Sequence, residues 1–320
     1  MYVINARNVC AALPAGVALL RERGVEEETA RGKALVLPCP VTTMIQQPAE
    51  RVLFSAKRDA NPAFHLFEAV WMLAGRNDVA PLNLFIRDFG QRFGEPDGTM
   101  HGAYGHRWRV ALGIDQLDEV VARLRREPST RQAVLQMWHA PMDLLGVWRD
   151  IPCNTHIYLR VREGKLDLTV CCRSNDVIWG AYGANAVHFS VLQEYLAARI
   201  GLDMGILYQI SNNFHGYLNT MDKVGEDHRY LDDPEIKPQP MFTHPDYIDE
   251  DIGEFMENFD QGTVYPTFNN PWFNETLVPL VRSYQFYRAE GADQAMIVAA
   301  VMKATDWRTA VTEWYERRVK

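Results

Sequence analysis

The sequence contains no apolar run of eighteen or more residues, so no segment reads as a membrane-spanning helix. Its opening residues, Met1-Tyr-Val-Ile-Asn-Ala-Arg-Asn8, lack the basic end and apolar stretch of a secretion signal, and the expected setting is the cytoplasm. Its five cysteines, Cys10, Cys39, Cys153, Cys171 and Cys172, are odd in number and form no Cys-x-x-Cys pair. That argues against a disulfide framework and a zinc site, so free thiols and no metal are expected. There is no internal repeat and no low-complexity tract. A basic surplus is missing too, with 33 Lys and Arg against 41 Asp and Glu, which argues against a nucleic-acid partner.

What is present is ample core material: 47% of the 320 residues are hydrophobic, and a single domain over 1–320 is the simplest organisation. Twelve acidic and two basic residues fall between Gly225 and Gly262, a balance of −10 that leaves about +2 for the rest of a chain whose net charge is −8. This stretch overlaps a proline-rich run from Asp232 to Thr267 and reads as an irregular, solvated excursion rather than a metal site. The remainder leaves room for a local group of arginines around one anionic small molecule.

Phe64, Phe67, Val70, Trp71 and Ala74 recur at helical spacing behind Pro62, predicting a helix over Pro62 to Ala74 that is buried on most sides. Glu68 lies within that apolar run, where a carboxylate needs partners or a task. A second helix is predicted over Gln116 to Arg126 and a strand over Ala133 to Trp138. Ile157, Leu159 and Val161 alternate with polar residues, as do Leu166, Leu168, Val170 and Cys172, around Glu163-Gly-Lys165; this is a β-hairpin. A long helix from Ala186 stops at Gly201, a strand covers Ile206 to Ile210, and two helices close the chain near Asp293 to Ala304 and Trp307 to Arg318. Strands and helices do not alternate regularly, so the fold class is α+β.

Cys153, between Pro152 and Asn154, opens the hairpin's first strand. Alone, a free cysteine in such a place is more often packing than chemistry, and a nucleophile needs cationic neighbours or a base.

Taken in order, Glu68, His101-Gly-Ala-Tyr-Gly-His-Arg-Trp108, Thr130-Arg-Gln132, Pro152-Cys-Asn154, Arg173-Ser-Asn-Asp176, Asn185 and His215-Gly-Tyr217 resemble the thymidylate synthase family, which includes the pyrimidine nucleotide hydroxymethylases. The likeness runs from Phe64 to Tyr217 and fades after Asp222. It implies a mixed β-sheet covered by helices and a homodimer formed through the sheet face. It also implies transfer of one carbon from 5,10-methylenetetrahydrofolate to C5 of a pyrimidine nucleotide, in host cytoplasm if the chain is phage-encoded.

Site roles follow from the resemblance residue by residue. Cys153 would add to C6 of the base, Glu68 would move protons around the ring, and Tyr104 would order the site near the nucleophile. Asn185 would read the base edge. Arg173 and Ser174 would hold phosphate together with Arg131 from the other subunit; Arg31 could join them, although its match is short and it reads equally as an exposed loop charge. His215 and Tyr217 would bind the sugar hydroxyl, and Asp176 and Trp71 would contact the folate.

The chain also departs from thymidylate synthases. Asn154 replaces the usual histidine after the nucleophile, the Arg173 to Asn185 interval is one residue longer, and Tyr182-Gly-Ala184 replaces the usual Pro-Phe. The chain ends Trp314-Tyr-Glu-Arg-Arg-Val-Lys320, without the short apolar tail that excludes water over the folate. Water exclusion protects a final hydride transfer, so these departures point to capture by water instead. The side-chain amide of Asn185 can match uracil's O4 and N3–H, and flipped it can serve cytosine. The expected activity is 5-hydroxymethylation of dUMP, with dCMP or CMP hydroxymethylation, thymidylate synthesis and an inactive nucleotide-binding homologue as alternatives.

Overall fold

The computed structural model describes residues 1–225 and 227–319, so Glu226 of the acidic stretch and Lys320 of the C-terminal run lie outside the described residues. Backbone contacts divide the chain into two compact units. The first comprises Met1–Ala60, Gln116–Trp138 and Cys153–Asp232; the second comprises Asn61–Asp115, His139–Pro152 and Asp233–Lys320. The element types are those of an α+β protein.

The first unit carries ten strands: β1 (Tyr2–Ala6), β2 (Val25–Thr29), β3 (Gly32–Val36), β4 (Val41–Ile45), β5 (Val134–Gln136), β6 (Asn154–Arg162), β7 (Lys165–Cys172), β8 (Asn175–Asp176), β9 (Asp203–Ser211) and β10 (Phe214–Tyr217). Six form a mixed sheet in the order β1-β4-β9-β7-β6-β5, and four form a second sheet in the order β2-β3-β10-β8. The expected hairpin is β6 and β7, turned through Glu163 (φ 50°) and Gly164 (φ 76°). Two successive positive φ values are what a tight two-residue hairpin turn requires. One face of the six-stranded sheet buries Leu159, Leu166, Leu168, Val170 and Leu207, against which the helix Asn185–Ile200 packs. That helix ends on Gly201 in the left-handed region (φ 83°), as the sequence predicts.

The opposite face is only half covered. Cross-strand register aligns Met44, Tyr208, Thr169 and Tyr158 in one row and Thr42, Ile210, Cys171 and His156 in the next. All are half-buried or exposed, although Tyr208, Ile210, Met44 and Tyr158 are large and apolar in character.

The two sheets share a seam. Neighbouring parallel strands β7 and β9 leave the first sheet after Cys172 and Ser211, and after two residues each they re-pair in parallel as β8 and β10 of the second. Arg173 and Ser174 make one break; Asn212 and Asn213 make the other. Backbone bonds stitch them: Asn212 N–H donates to Cys172 C=O at 2.9 Å, and Asn175 N–H to Asn213 C=O at 2.8 Å.

In the second unit the helix Pro62–Leu73 is buried at all twelve positions, begins at an Asn61 side-chain cap with Pro62 in its first turn, and carries Glu68. Phe67 lies 4.6 Å from Phe85 and 4.5 Å from Phe259, ring centre to ring centre, at the middle of an aromatic cluster. The turn Tyr104–His106 packs so tightly on this helix that a Cβ on Gly105 would meet the Met72 carbonyl oxygen at 1.7 Å. Arg107 and His101, on either side of Tyr104, converge on the buried carboxylate of Asp143 at 2.8 and 2.7 Å. Burial opposes ionisation of Asp143, but bonds from the His139 N–H, Arg107 and His101 hold its carboxyl below the usual range.

Two expectations need correction. The acidic stretch is not irregular throughout, since Ile248–Gln261 is a helix whose Ile248, Ile252, Phe255 and Met256 are buried on one side. Nor are its carboxylates merely solvated: Asp249 pairs with Arg109 at 2.6 Å, Asp260 pairs with Arg76 at 2.5 Å, and buried Asp251 accepts from the Asn269 and Asn270 N–H groups. The two helices expected to close the chain are Ala292–Ala299 and Thr305–Glu316, and a further helix, Val278–Glu290, precedes them. The four strands and the helix Val9–Arg23 in the first 45 residues have no counterpart in the sequence reading.

Asp143→Ala should destabilise the protein by about 3 kcal/mol or more, because the buried Arg107 guanidinium loses its carboxylate. Urea denaturation measures this. Since the folded-state pKa of Asp143 is depressed, its contribution is present above the ordinary carboxylate range and is lost as pH falls through the depressed value.

Candidate active site

Cys153 stands immediately before β6, where the pairing of β6 with β7 is irregular between Asn154 and His156. Its carbonyl accepts the Arg173 backbone N–H at 2.8 Å, so the candidate nucleophile is tied to the seam. The Arg173 side chain is exposed, with its guanidinium 5.6 Å from the centre of the Trp138 ring. Arginine, always charged and able to fork onto an oxyanion, suits both phosphate contact and support of a nearby thiolate.

Beside the seam lies a groove of about 340 Å³, lined by Arg173, Ser174, Asn213, His215, Tyr217 and Thr29, with Glu27 as its acidic member. This is within the range of about 300–1,000 Å³ found for small-molecule sites. Four residues expected to hold a nucleotide, Arg173, Ser174, His215 and Tyr217, therefore share one cavity. His215 Nδ1 donates to Asn213 Oδ1 at 2.8 Å, and its ring stands edge-on to Tyr217 at 5.4 Å.

Asp176 of β8 is in register with His215 of β10. Its Oδ1 accepts from the Ile178 and Trp179 N–H groups at 2.9 and 2.5 Å, capping the turn that follows. Its Oδ2 is buried and has no partner among the described residues. Burial raises the Asp176 pKa, opposed by those two N–H groups and by the charges of His215 and Arg58. A buried acceptor with an unused lone pair fits the donor-rich edge of a pterin ring. Arg58 is buried, which lowers its pKa to about 10 against the raising influence of Asp176; its Nε donates to the Ile178 C=O and its guanidinium lies 4.3 Å from the Trp179 ring centre.

The extra residue between Arg173 and Asn185 has a structural counterpart. Val177–Ala184 is wound as a π-helix, the wider turn that accommodates an inserted residue, with a kink at Gly183. Asn185 follows as the first residue of its long helix, buried, donating to Asn175 Oδ1 at 3.1 Å and accepting from Asn154 Nδ2 at 3.4 Å.

The remaining expected residues are not in the lining of this groove. Arg31 is exposed in the β2–β3 turn, and Arg131 is exposed between the helix Gln116–Arg126 and β5; neither lines the groove. Glu68, Trp71 and Tyr104 belong to the second unit, where Glu68 and Trp71 are buried and the Trp71 indole N–H is committed to the Asp78 carbonyl at 3.1 Å. Asn213, Trp138, Arg58 and Asn175 were not singled out by the sequence as site residues. Asn175 sits inside the Arg173 to Asp176 motif, so its position was available; Asn213 lies two residues before His215, and Arg58 and Trp138 have no local signal.

The thymidylate synthase family model matches residues 25–250. A deoxyuridylate hydroxymethyltransferase of Pseudomonas phage M6 is 39% identical over 99% of this chain and 95% of its own length. A deoxyuridylate hydroxymethyltransferase of Bacillus phage SP01 is 36% identical over 62% of this chain and 54% of its own length. Among solved structures, thermostable thymidylate synthase A from Bacillus subtilis shares the fold with a TM-score of 0.55 at 22% identity, covering 67% of this chain and 82% of that one. With the family model matched over residues 25–250 and a relative 39% identical over nearly the full length, the chain belongs to the thymidylate synthase family.

Proposed function

We propose that this protein is a deoxyuridylate 5-hydroxymethyltransferase, forming 5-hydroxymethyl-dUMP from dUMP, 5,10-methylenetetrahydrofolate and water. The observation that carries the reading is the groove at the seam, where Arg173, Ser174, His215 and Tyr217 converge and Arg173 bonds back to the Cys153 carbonyl, in a chain 39% identical over its length to a deoxyuridylate hydroxymethyltransferase. A wider cleft of about 770 Å³ opens among Arg21, Glu22, Lys57 and Asp222, but none of these belongs to the motifs, so the nucleotide is placed in the smaller groove.

The chemistry needs a strong nucleophile because C5 of uracil is a weak one. The Cys153 thiolate adds to C6, which pushes the electron pair onto C5. The folate supplies the one-carbon unit that C5 then attacks. Loss of the C5 proton and of tetrahydrofolate leaves an exocyclic methylene on the ring. Water adds to that carbon, and the C6–sulfur bond breaks to return the thiol. Arg173 and Ser174 hold the phosphate, His215 and Tyr217 the sugar hydroxyl, and Asn185 the base edge. Glu68 relays protons, Tyr104 orders the nucleophile, and Arg31 adds a phosphate contact. The buried Asp176 Oδ2 accepts from the pterin, and the Trp71 ring packs on the folate. The half-covered sheet face, with its rows from Met44 to Tyr158 and Thr42 to His156, takes a second copy of the chain, whose Arg131 reaches the phosphate.

Three outcomes test this reading. Incubation of dUMP tritiated at C5 with methylenetetrahydrofolate should release tritium and yield a hydroxymethyl nucleotide with tetrahydrofolate, whereas a methyl nucleotide with dihydrofolate would overturn it. Cys153→Ser should abolish tritium release, and Arg173→Ala should raise KM for dUMP roughly 10- to 100-fold, the worth of a charged hydrogen bond.

The raised pKa of Asp176 gives a pH signature. On acidification it takes up a proton above the ordinary carboxylate range and loses acceptor capacity, so KM for methylenetetrahydrofolate should rise there. Asp176→Asn should flatten that dependence without loss of stability near neutral pH. Its oxygen still caps the turn, and a group with a raised folded-state pKa costs stability, when charged, above that pKa.

Sharing of arginines between subunits predicts complementation. A mixture of inactive Cys153→Ser and impaired Arg131→Ala proteins should gain activity after subunit exchange. A mixture no more active than its parts would refute the shared site.

A further inference from the structure

Five buried side chains, beginning with Cys172, run to the Ala181 carbonyl in a single file of hydrogen bonds. Gln209 Nε2 donates to Ala181 C=O at 3.0 Å, Asn175 Nδ2 to Gln209 Oε1 at 3.3 Å, and Asn185 Nδ2 to Asn175 Oδ1 at 3.1 Å. Asn154 Nδ2 then donates to Asn185 Oδ1 at 3.4 Å, and Cys172 Sγ to Asn154 Oδ1 at 2.7 Å. All five are at most 5% exposed.

A side-chain amide can ordinarily be turned over, exchanging donor for acceptor, but this file has fixed ends. A backbone carbonyl only accepts, so Gln209 must present Nε2 to Ala181 and Oε1 to Asn175. The second Asn175 N–H donates to Ser211 Oγ at 2.9 Å, which commits its Nδ2 side twice over and turns Oδ1 toward Asn185. At the far end the Cys172 thiol is held protonated by burial, a donor that demands Oδ1 from Asn154. Turning any one amide would set oxygen against oxygen and N–H against N–H inside the protein, where unmatched polar groups are costly. Gly180 keeps the file in place: a Cβ there would come within 2.9 Å of Asn175 Oδ1.

Asn185, held at both ends, retains one N–H and one lone pair. Uracil offers an acceptor at O4 and a donor at N3; cytosine offers a donor at its amino group and an acceptor at N3. A given amide orientation matches one base, and the turned-over amide matches the other. We propose that Asn154 and Gln209 are positioning residues that lock the Asn185 amide in one orientation, and that this lock, rather than Asn185 alone, makes the site choose deoxyuridylate over deoxycytidylate. The inference rests on Asn185 reading the base edge, as set out under the proposed function.

The test compares the wild-type chain with Asn154→Leu and Gln209→Met, measuring kcat/KM for tritium release from C5 of dUMP and of dCMP, with Asn185→Asp alongside. The ratio of the two rates should fall roughly tenfold or more in both variants, because a freed amide can turn to serve cytosine. Circular dichroism checks folding; if Asn154→Leu fails to fold, Gln209→Met alone decides. An unchanged ratio with both bases slowed alike, while Asn185→Asp does shift it, would overturn the lock and leave base reading by Asn185 standing. An unchanged ratio in Asn185→Asp would overturn the base-reading role, and the lock with it.

Discussion

The parallel pairing of β7 with β9 is kept when both strands step from one sheet into the other. That single constraint organises the site. Each strand breaks for two residues, and the breaks lie side by side because the strands do. Unpaired backbone at such a step would be expensive inside a protein, and the Asn212 to Cys172 and Asn175 to Asn213 bonds satisfy it. Arg173 also donates its backbone N–H across the seam to Cys153, and its exposed side chain lies near the Trp138 ring.

From the seam, polarity is divided by depth. Toward solvent lie the groups suited to a phosphate and a sugar: Arg173, Ser174, His215 and Tyr217. Inward lie amides, a thiol and a half-satisfied carboxylate, each placed where burial makes its hydrogen bonding decisive. The Asp176 carboxylate meets two N–H groups with one oxygen and none among the described residues with the other, so its second oxygen is a demand that a ligand can meet. Asn154, beside Cys153, is buried and donates its side-chain amide to Asn185, so it is tied into the amide file.

The parts of this arrangement legible in the sequence are those with a period or a motif. The β6–β7 hairpin alternates cleanly, and the helix ended by Gly201 carries its stop signal. Pro62–Leu73 is apolar on most sides, which marks it as a buried helix. The Arg173 to Asp176 and His215 to Tyr217 motifs mark β8, β10 and the groove between sheets, although neither strand is long enough to show alternation. β2, Val25-Glu-Glu-Glu-Thr29, is exposed at every position and has no apolar face to betray it. The helix Val9–Arg23 holds Pro14 within it, a residue that argues against helix when read locally. In Ile248–Gln261 the apolar positions are spaced for a helix, but six acidic residues stand among them and their density masks the stripe. The amide file is invisible to pattern, since Asn154, Asn175, Asn185 and Gln209 meet only in three dimensions.

The central claim is that the intermediate made by Cys153 is captured by water. The most direct test is to run the reaction on dUMP in water enriched in oxygen-18 and to locate the label by fragmentation mass spectrometry. The account predicts one heavy oxygen in the new group on C5 and none gained elsewhere on the base, with tetrahydrofolate as co-product. A C5-methyl product carrying no heavy oxygen, formed with dihydrofolate, would contradict it.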